Sequence, residues 1–483
     1  MRYTGFSNLF RELAALRISS DTKTKNRTIG RLVLACMVLS LASASMAEGA
    51  KRPWPPIPKS GATFVHFGEE HLDDADGMRI FPKVIKESGR YHPDLVATSA
   101  DKASDGTIEN LEAWEQLMRP FDRRDIPYFG GVGNHDRKHR PGFPEGVDPM
   151  GDLTNYMNVF AERPYPFGDA RPYRDPLFAP RRRPQSDPPG ASSHYAIEFG
   201  PVRWIFIDNS CFGITNCDSL QSPSFPDADG NTSQYDFLAT EAAKADAEGD
   251  LAFVVMHMPT QDDRPGHTEP TPGPHTMGEG SSPDNLLFEQ EAAAAGVDGV
   301  FAGHIKGMWE YTASDIPYFT DGGAGGEVYV GPAEETGVDY GYWHGYRLIN
   351  VRRGQVQTDA IPVFRRKGLS VSGPSEVAAG QVLDLSATGQ QPTKEGPDVM
   401  LELRAPDPAR PNVDNLPTPA HIWSTRDRSI LRPVRSPTDD PRRNARRQTT
   451  SGRFKAVRPG STVIRVKSGW ETARYKVTVT DEN

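Results

Sequence analysis

Short apolar runs recur along the chain, and each stops where a glycine or a polar residue begins. They cover residues 62–68, 95–98, 128–132, 252–256 and 300–302. Apolar runs of this length that end at turn residues predict buried strands. Helical periodicity lies between them, most clearly at residues 108–118 and 234–247, where Ser233 is a candidate N-cap and Gly249 a candidate stop signal. Strands that alternate with helices predict an α/β layer structure.

Polar segments follow these predicted strands directly. In chain order they are Glu69-Glu70-His71, Asp101, Gly133-Asn134-His135-Asp136, His257 and Gly303-His304-Ile305-Lys306. The carboxyl ends of strands in such sheets usually carry the site, so we expect these side chains to share one edge. A lone His257 is more often a core residue, and Asp101 alone says little. The five segments taken together, in this order, carry more information than any one of them alone.

This ordered set resembles the metal box of the calcineurin-like metallophosphoesterases, over about residues 60–363. The hairpin-like stretch 195–208 and the Gly-rich turn at 316–326 extend the resemblance. It implies two facing β-sheets flanked by helices, and one or two divalent or trivalent metal ions (Mn, Fe or Zn). By resemblance Asp101 bridges two metals; Glu69 and His71 bind the first, and Asn134, His257 and His304 bind the second.

The resemblance also implies a reaction. A metal-activated hydroxide attacks the phosphorus of a phosphomonoester or phosphodiester. His135, held by Asp136, stabilises or protonates the leaving oxygen. Lys306 neutralises charge on the phosphate oxygens. The substrate is accordingly a phosphate ester, and two Pro-rich stretches, residues 137–193 and 260–283, are candidate substrate loops.

Two positions depart from the family pattern, and both belong to the first metal. Glu69 stands where the family has Asp, and it keeps the oxygen donors with one more methylene. Lys306 stands where the family has His, and its ammonium group has no lone pair to give. Three outcomes stay open: a one-metal enzyme in which Lys306 holds a phosphate oxygen, a two-metal enzyme with a weakened first site, and a silent relative that binds a phosphate-bearing ligand or a partner. If Lys306 points into solvent, His344, His267 or His275 could replace it.

The sequence changes character after residue 363. Residues 364–483 show short alternating strands separated by turn signals and no convincing helix, which predicts a small antiparallel β-sandwich. The phrase at residues 452–466, Gly-x-Phe-x-Ala-Val-x-Pro-Gly-Ser-Thr-x-Ile-x-Val, resembles the bacterial Ig-like repeats of surface and exported proteins. The resemblance implies an Ig-like domain suited to contact with a cell surface or another protein.

The first 47 residues have the pattern of a signal peptide. Residues 1–31 carry seven Lys or Arg against two acidic residues, an apolar run follows at 32–41, and small residues precede the expected cleavage site at Glu48. We therefore expect export to the periplasm or the exterior. The apolar run is too short to span a bilayer comfortably, so no stable membrane span is expected in the mature chain; retention as an anchor and lipidation at Cys36 stay open.

Charge and cysteine content narrow the picture further. The whole chain has a formal net charge of -9, and without the leader 48 basic residues face 62 acidic ones, a net charge of -14. Nucleic-acid binding is therefore not expected. Outside the leader only Cys211 and Cys217 remain, and in an exported protein such a close pair is expected to form a disulfide, with free buried thiols as the alternative.

The sequence thus predicts three segments: a signal peptide at 1–47, a phosphoesterase-like α/β domain at 48–363 and an Ig-like β-sandwich at 364–483. The predicted activity is metal-dependent hydrolysis of phosphoric esters with an atypical first metal site. The rival is a catalytically weak or inactive surface binding protein, which the changes at Glu69 and Lys306 and the β-rich tail support. A purely structural β-rich protein would leave the ordered polar segments unexplained.

Overall fold

The computed structural model describes residues 60–74, 76–137, 153–160, 193–220, 230–261, 276–277, 284–326, 328, 330–331, 340–341, 343–392, 400–403, 417–435 and 448–481. The chain divides into two compact units, Met1–Trp54 and Pro55–Asn483, and all described residues belong to the second. The predicted signal peptide, His267, His275 and most of the two Pro-rich stretches lie outside the described residues.

The described residues before 364 contain thirteen strands and six α-helices, which interleave along the chain up to residue 302, as the sequence predicts. The strands are β1 (Gly61–Phe67), β2 (Leu95–Thr98), β3 (Tyr128–Gly130), β4 (Tyr195–Phe199), β5 (Val202–Phe206), β6 (Leu251–Val255), β7 (Gly299–Ala302), β8 (Met308–Ala313), β9 (Ile316–Asp321), β10 (Val330–Gly331), β11 (Tyr340–Gly341), β12 (Gly345–Arg352) and β13 (Gln355–Pro362). The helices are α1 (Gly77–Ser88), α2 (Ile108–Asp122), α3 (Thr154–Phe160), α4 (Ile214–Leu220), α5 (Gln234–Glu248) and α6 (Asp284–Ala295).

Two mixed sheets form the body of this part. One has the strand order β13-β12-β1-β2-β3, in which β1, β2 and β3 are parallel and β12 runs antiparallel to β1. The other has the order β4-β5-β6-β7-β9-β8, with β5, β6, β7 and β9 parallel and antiparallel strands at both edges. Strands β10 and β11 pair separately. The mixed α/β architecture is therefore as predicted.

Aromatic side chains fill the space between the two sheets. The ring of Phe64 on β1 meets that of Trp204 on β5 edge to face, with ring centroids 5.2 Å apart. His66 on the same strand lies 5.1 Å from Phe301 on β7, centroid to centroid. All four side chains are fully buried. Because large aromatic rings contribute much of a core's apolar burial, this layer fixes the sheets face to face.

Helices cover the outer face of each sheet. Phe81 of α1 and Trp114 of α2 stack over the first sheet, with ring centroids 6.5 Å apart. Helix α5 packs on β5 and β6 of the second sheet. It begins where Ser233 accepts a hydrogen bond from the Asp236 amide and ends at Gly249 with φ 69°, the left-handed conformation that glycine adopts easily. The predicted cap and stop signal of this helix are both confirmed.

The topology brings the carboxyl ends of the parallel strands together. Strands β1, β2 and β3 end directly before the segments that contain Glu69, Asp101 and Asn134, and β6 and β7 end directly before His257 and His304. Since the two sheets face each other, these five loops leave the same end of the body. The candidate residues are thus delivered to one place from two different sheets.

The described residues after 363 form only strands and loops. The strands are β14 (Leu369–Ser372), β15 (Glu376–Ala378), β16 (Val382–Asp384), β17 (Ser386–Gln390), β18 (Met400–Leu403), β19 (His421–Thr425), β20 (Leu431–Pro433), β21 (Gln448–Thr449), β22 (Arg453–Ala456), β23 (Gly460–Ser468) and β24 (Glu471–Thr480). They form three sheets, β14-β17-β18, β15-β24-β23-β19-β21 and β16-β22-β20. Trp423, Phe454 and their apolar neighbours make one core. The described residues in this part contain no helix, and the Ig-like β-sandwich domain stays a prediction.

These strands pack against the α/β part through specific contacts. The Trp470 indole N–H, in the turn between β23 and β24, donates to the Glu87 carbonyl at 2.9 Å. The side chain of Gln391 donates to the His344 carbonyl at 2.8 Å. Among the described residues, no helix is both long and apolar enough to cross a membrane.

Candidate metal centre

Two groups of metal-capable donors lie at the strand ends, and they share Asp101. His71, Asp101 and His135 form one group, and Asp101, His257 and His304 form the other; within each group the donor atoms lie within 4.8 Å of one another. We call the half around Glu69, His71 and Asp101 the first cluster, and the half around Asp101, Asn134, His257 and His304 the second cluster. Asp101 is buried between them.

In the second cluster, electron-pair donors converge on one point. His257 Nδ1 lies 3.0 Å from the Ser99 carbonyl oxygen, which can only accept, so Nδ1 carries the hydrogen and Nε2 presents a lone pair. That Nε2 faces Asn134 Oδ1 at 2.7 Å, His304 Nδ1 at 3.1 Å and Asp101 Oδ2 at 3.3 Å. Four such donors around one point require a proton or a cation between them.

In the first cluster, electron-pair donors also face one another. His71 Nδ1 lies 2.9 Å from Ser104 Oγ, and that hydroxyl donates to Asp74 Oδ1 at 2.5 Å, so its lone pair receives the Nδ1 hydrogen of His71. His71 Nε2 is then left with a lone pair, 3.0 Å from Glu69 Oε2 and 3.6 Å from Asp101 Oδ2. An imidazole whose outer nitrogen is fixed by a hydrogen bond is the usual arrangement of a metal-binding histidine.

In both clusters the distances between donor atoms fit a bound cation. Adjacent ligands that sit about 2.1 Å from one ion are about 3 Å apart, which is the range of these donor separations. Carboxylate, amide and imidazole donors suit Mn, Fe or Zn, and the set does not choose among them. A carboxylate shared by both clusters is the ligand that a two-ion site needs as a bridge.

The electrostatics of the two clusters favour positive charge. Burial alone would lower the pKa of His71, but Asp101 and Glu69 outweigh it and raise that pKa to about 10. Burial also opposes the charging of His257, whose pKa the nearby Asp101 carboxylate nevertheless raises to about 9. The pKa of Asp101 is held well below its ordinary value, against the effect of its burial, by His257 and His135. A proton on His71 or His257 thus stands where a cation would bind, and Asp101 remains a carboxylate.

Left-handed backbone is concentrated at the predicted ligands. Glu69, His71, Asp101 and His304 have φ values of 60°, 38°, 55° and 64°. Such values are uncommon for residues with a side chain and cost free energy, and they gather where surrounding structure enforces a functional geometry. At Glu69 the bend lets Oε1 accept the His304 amide at 2.6 Å while Oε2 faces His71.

His135 stands at the mouth of the two clusters. Its backbone amide donates to Asp101 Oδ1 at 3.0 Å, and its Nδ1 donates to the Ser104 carbonyl at 2.8 Å. The imidazole is partly exposed, unlike the buried His71 and His257. Its Nε2 is therefore the ring atom left to exchange a proton with a substrate.

Asp136 does not hold His135, and in this respect the expectation from the resemblance is wrong. The carboxylate of Asp136 accepts from the amides of Lys102 and Gly133, at 2.9 and 3.0 Å, and from Lys102 Nζ at 3.1 Å. The tight turn in which the Asp136 amide bonds to the Gly133 carbonyl directs the short side chain back into the loop. Asp136 thus ties the Asn134 loop to the Asp101 loop.

Lys102 is a site-supporting residue that the sequence reading missed. Its ammonium group is fully buried, donates to the Gly131 carbonyl at 2.8 Å and pairs with Asp136. Burial alone would lower the pKa of Lys102, but the Asp136 charge outweighs it and raises that pKa. The nearest signal in the sequence was a lysine placed directly after Asp101.

Glu70 is a buried acid for which the sequence assigned no role. Neither of its carboxyl oxygens has a hydrogen-bond partner among the described residues. Burial raises the pKa of Glu70 well above its ordinary value, even though the Lys102 charge acts in the opposite direction. The side chain is therefore held toward its neutral form behind the two clusters.

Lys306 lies beside the first cluster, on the side of Asp74. Its Nζ is 3.9 Å from Asp74 Oδ2, and the side chain is 19% exposed. Its charge lowers the pKa of His71, against the effect of the carboxylates, so the two groups interact. An ammonium group has no lone pair for a metal ion, so Lys306 adds a charge beside the first cluster and no donor to it.

His344 does not replace Lys306. Its Nδ1 lies 3.2 Å from the Gly323 carbonyl, and its main chain is bonded to the side chain of Gln391. Burial lowers its pKa to about 4. It belongs to neither cluster, because it serves the packing between the α/β part and the later strands.

The loop after β5 braces the second cluster from behind. Asn209 Oδ1 accepts the amides of His257 and Met258, both at 3.0 Å. The ring of Phe212 meets that of His304 edge to face, with centroids 6.5 Å apart. The sequence reading missed Asn209, whose signal was its place directly after a strand end.

The predicted cysteine pair closes this loop. Cys211 and Cys217 are joined as a disulfide, with Cα atoms 5.2 Å apart. Arg137, directly after the Asn134 segment, donates to Asp208 Oδ2 at 3.0 Å and to Ser210 Oγ at 2.7 Å. Arg137 thereby connects the disulfide loop to the loop that carries Asn134.

Comparisons with known proteins give only distant likenesses. No family model matches the chain, and no curated protein matches it. A purple acid phosphatase, PPD1, from yellow lupin (Lupinus luteus) is 14% identical with a TM-score of 0.42, covering 64% of this chain and 52% of the lupin protein. A dimetal phosphatase from Danio rerio is 11% identical with a TM-score of 0.38, covering 63% and 96%. GAP50, described as the anchor in the inner membrane complex of Plasmodium, is 14% identical with a TM-score of 0.40, covering 63% and 85%.

TM-scores below 0.5 decide neither fold nor chemistry, which follow from the residues of this chain. The fold is mixed α/β with two facing sheets, and the site is a buried pair of donor clusters around one shared carboxylate. The class that fold and site define is that of an α/β protein with a candidate two-cation centre.

Proposed function

We propose that this protein is a metal-dependent phosphoesterase that hydrolyses phosphomonoesters or phosphodiesters. The observation that carries the proposal is the convergence of two donor clusters on Asp101. Bound cations would supply Lewis acidity to the phosphoryl oxygens and lower the pKa of an attacking water. The motif resemblance assigns the same residues to the same chemistry.

The chain's own residues have separate tasks in this proposal. The first and second clusters bind and space the cations, with Asp101 between them. His135 keeps its Nδ1 hydrogen on the Ser104 carbonyl, so its Nε2 holds or gives the proton that the leaving oxygen needs. Asp136 and Lys102 act indirectly, because they hold in place the two loops that carry Asp101 and Asn134.

Lys306 is assigned to the substrate. Its ammonium group is partly exposed beside the first cluster, where a point charge can hold a phosphate oxygen. The first cluster has three donors and an adjacent cationic group, Lys306, whereas the second cluster has four donors. We therefore propose that the second cluster binds its cation more tightly. The first cluster either binds a second cation more weakly or has the Lys306 ammonium group in place of that cation.

The test is hydrolysis of aryl phosphate mono- and diesters by protein loaded with Mn, Zn or Fe. Asn134→Ala removes a second-cluster donor and should abolish turnover, whereas Asn231→Ala, an asparagine outside both clusters, should leave it unchanged. Absence of turnover above the Asn134→Ala level with all three metals would end the proposal.

Metal content distinguishes the open outcomes of the Lys306 change. About two equivalents per chain would indicate that both clusters bind, and about one that only the second does. Lys306→His supplies the missing lone pair and should raise the content toward two. A loss of activity in that variant without a change in metal content would mark Lys306 as a phosphate contact.

The rival function is a catalytically weak or inactive phosphoesterase-like surface binding protein. Glu69 and Lys306, the two departures from the family pattern, favour it. Absence of both bound metal and hydrolysis in the assays above, together with retention of a phosphate-bearing ligand, would support this rival.

Export and the Ig-like assignment are proposals from the sequence. The leader-like pattern of residues 1–47 predicts cleavage before Glu48, and mass spectrometry of protein secreted or released from the periplasm would test it. Uncleaved protein in the cytoplasmic fraction would contradict the export proposal.

A further inference from the structure

The charge of the chain is divided unevenly along its length. Residues 48–363 carry 27 Lys or Arg against 49 Asp or Glu, whereas residues 364–483 carry 21 against 13. The net charge is thus strongly negative before residue 364 and positive after it. Such asymmetry between segments is a sign that the basic part meets an anionic partner.

Four of these cations lie together on the outer face of one sheet. Arg465 and Lys467 on β23, with Arg474 and Lys476 on β24, are all exposed, while their neighbours Ile464, Val466 and Val477 point into the core. We call these four side chains the basic face. Arg465 is the direct cross-strand partner of Arg474.

This arrangement works against the stability of the sheet. Like charges directly opposite each other on paired strands are destabilising, and here a second cation flanks each of them. Outward positions on the neighbouring strand β19 are Ile422 and Ser424, which bring no negative charge. Glu376 on β15 is an outward acid of this sheet, and its strand partner is Thr478, not one of the four cations. None of the four forms an ion pair with another described residue.

We propose that the basic face binds a linear acidic polysaccharide. Cations two residues apart on a strand are about 6.6 Å apart, and the cross-strand pair Arg465 and Arg474 is about 4.8 Å apart, so the four charges form a staggered line from Lys467 through Arg465 and Arg474 to Lys476. A chain-like polyanion can follow this line of cations from one end to the other. A broad anionic surface such as a bilayer would extend well beyond a single line of four charges.

The surface chemistry of the basic face separates polysaccharide from nucleic acid. Binding of single-stranded nucleic acid uses aromatic rings on which bases stack. The described outward positions beside the four cations on β19, β23 and β24 carry Ser, Thr, Val and Ile and no aromatic ring. Tyr475, the aromatic residue between Arg474 and Lys476, is partly buried and packs against the core. Trp470, in the turn beside Lys467, already packs against Lys467, Arg90 and Tyr91 and donates to the Glu87 carbonyl, so its ring is engaged within the protein. Charge without an available stacking platform fits a carboxylated or sulfated sugar chain.

The test is binding of the full-length protein to immobilised heparin and to polygalacturonate, measured by biolayer interferometry at several salt concentrations. We expect binding that weakens as salt rises, since contacts between opposite charges at a surface are screened. The double variant Arg465→Glu/Arg474→Glu should lose at least tenfold in affinity. Thermal unfolding of this variant checks that it folds, and Arg465→Gln/Arg474→Gln, which adds no new charge, should show a smaller loss in the same direction.

A matched control separates a local face from net charge. Arg79→Glu/Lys86→Glu changes the total charge equally at exposed positions of α1. It should leave polysaccharide binding within twofold of the unchanged protein. Equal losses in both double variants, or no binding at low salt, would overturn the proposal. Tighter binding to oligo-dT or to phosphatidylglycerol vesicles than to both polysaccharides would also overturn it. Because the readout is binding, its failure says nothing about phosphoesterase activity.

Discussion

Replacing Lys102 by Met should destabilise the protein strongly, because it leaves a buried carboxylate without its counter-charge. Met keeps the length and most of the apolar stem of lysine, so packing against the nearby rings is retained. What is lost is the ion pair to Asp136 at 3.1 Å and the hydrogen bond to the Gly131 carbonyl at 2.8 Å. The cation–π contacts of the ammonium group with Trp114, Tyr156 and Phe160 are lost as well. Both partners of the pair are fully buried.

The size of the effect follows from what remains around Asp136. Removing one partner of a buried ion pair costs about 3 to 5 kcal/mol, because the other charge stays desolvated and unpaired. Asp136 keeps the backbone N–H donors of Asp101, Lys102 and Gly133, which places the expected cost near the lower limit, at about 3 kcal/mol. The free energy of unfolding should fall by that amount.

The assay is urea unfolding in the presence of EDTA, so that bound metal does not contribute to the measured stability. The matched control is Lys244→Met, which breaks an ion pair of 2.7 Å between Lys244 and Glu241. The Lys244 side chain is 37% exposed, and after the substitution the Glu241 carboxylate still accepts a hydrogen bond from Arg203. A pair of this kind is worth up to about 1 kcal/mol.

A double-mutant cycle then isolates the pair. Asp136→Asn removes the charge that Lys102 neutralises, so Lys102→Met should cost at least about 1 kcal/mol less in that background. Equal costs of Lys102→Met and Lys244→Met, or strict additivity with Asp136→Asn, would refute the reasoning that a buried charge pair joins the two loops.

Three further predictions follow from the packing around the site. The double variant Cys211→Ser/Cys217→Ser should lower the unfolding free energy by about 2 kcal/mol, as expected for a short loop, and should weaken metal retention measured by dialysis and elemental analysis; unchanged retention would mean that the loop does not brace the second cluster. Trp470→Ala removes an indole that donates to the Glu87 carbonyl, so it should lower the melting temperature by several degrees in calorimetry, and an unchanged transition would show that this contact contributes little. The pKa of His344 is about 4 in the folded protein and about 6.5 in the unfolded chain, so its contribution to stability is complete above pH 6.5 and is lost as pH falls toward 4. His344→Gln should therefore reduce the change in unfolding free energy across that pH range by up to about 3 kcal/mol. An identical pH profile in the variant would contradict this.

The sequence predicted those features that depend on neighbours along the chain. Apolar runs that end at glycine or polar residues marked the strands before Glu69, Asp101 and His257, because a strand buried in a sheet requires apolar residues at consecutive positions of the chain. Ser233 and Gly249 marked the ends of one helix for the same reason. The placement of the polar segments at one end of the sheets then followed from topology.

Features that depend on contacts between distant loops could not be predicted in the same way. The pairing of Asp136 with Lys102 and not with His135 depends on how a tight turn directs a short side chain. The brace that Asn209 gives to His257 joins residues 48 positions apart. Neither partner is distinguished by a motif, since lysine and asparagine occur at many surface positions for unrelated reasons.

The left-handed backbone at Glu69, His71, Asp101 and His304 has a consequence for how the centre forms. Each such residue raises the free energy of the folded chain by about 1 to 2 kcal/mol, and the packed sheets carry that cost before any cation arrives. Incoming metal therefore meets donors that already point inward, and little of its binding free energy is consumed in ordering the loops. Glycine at one of these positions would relax the folded chain and at the same time release its donor, so that a more stable protein would be a poorer host for the ion.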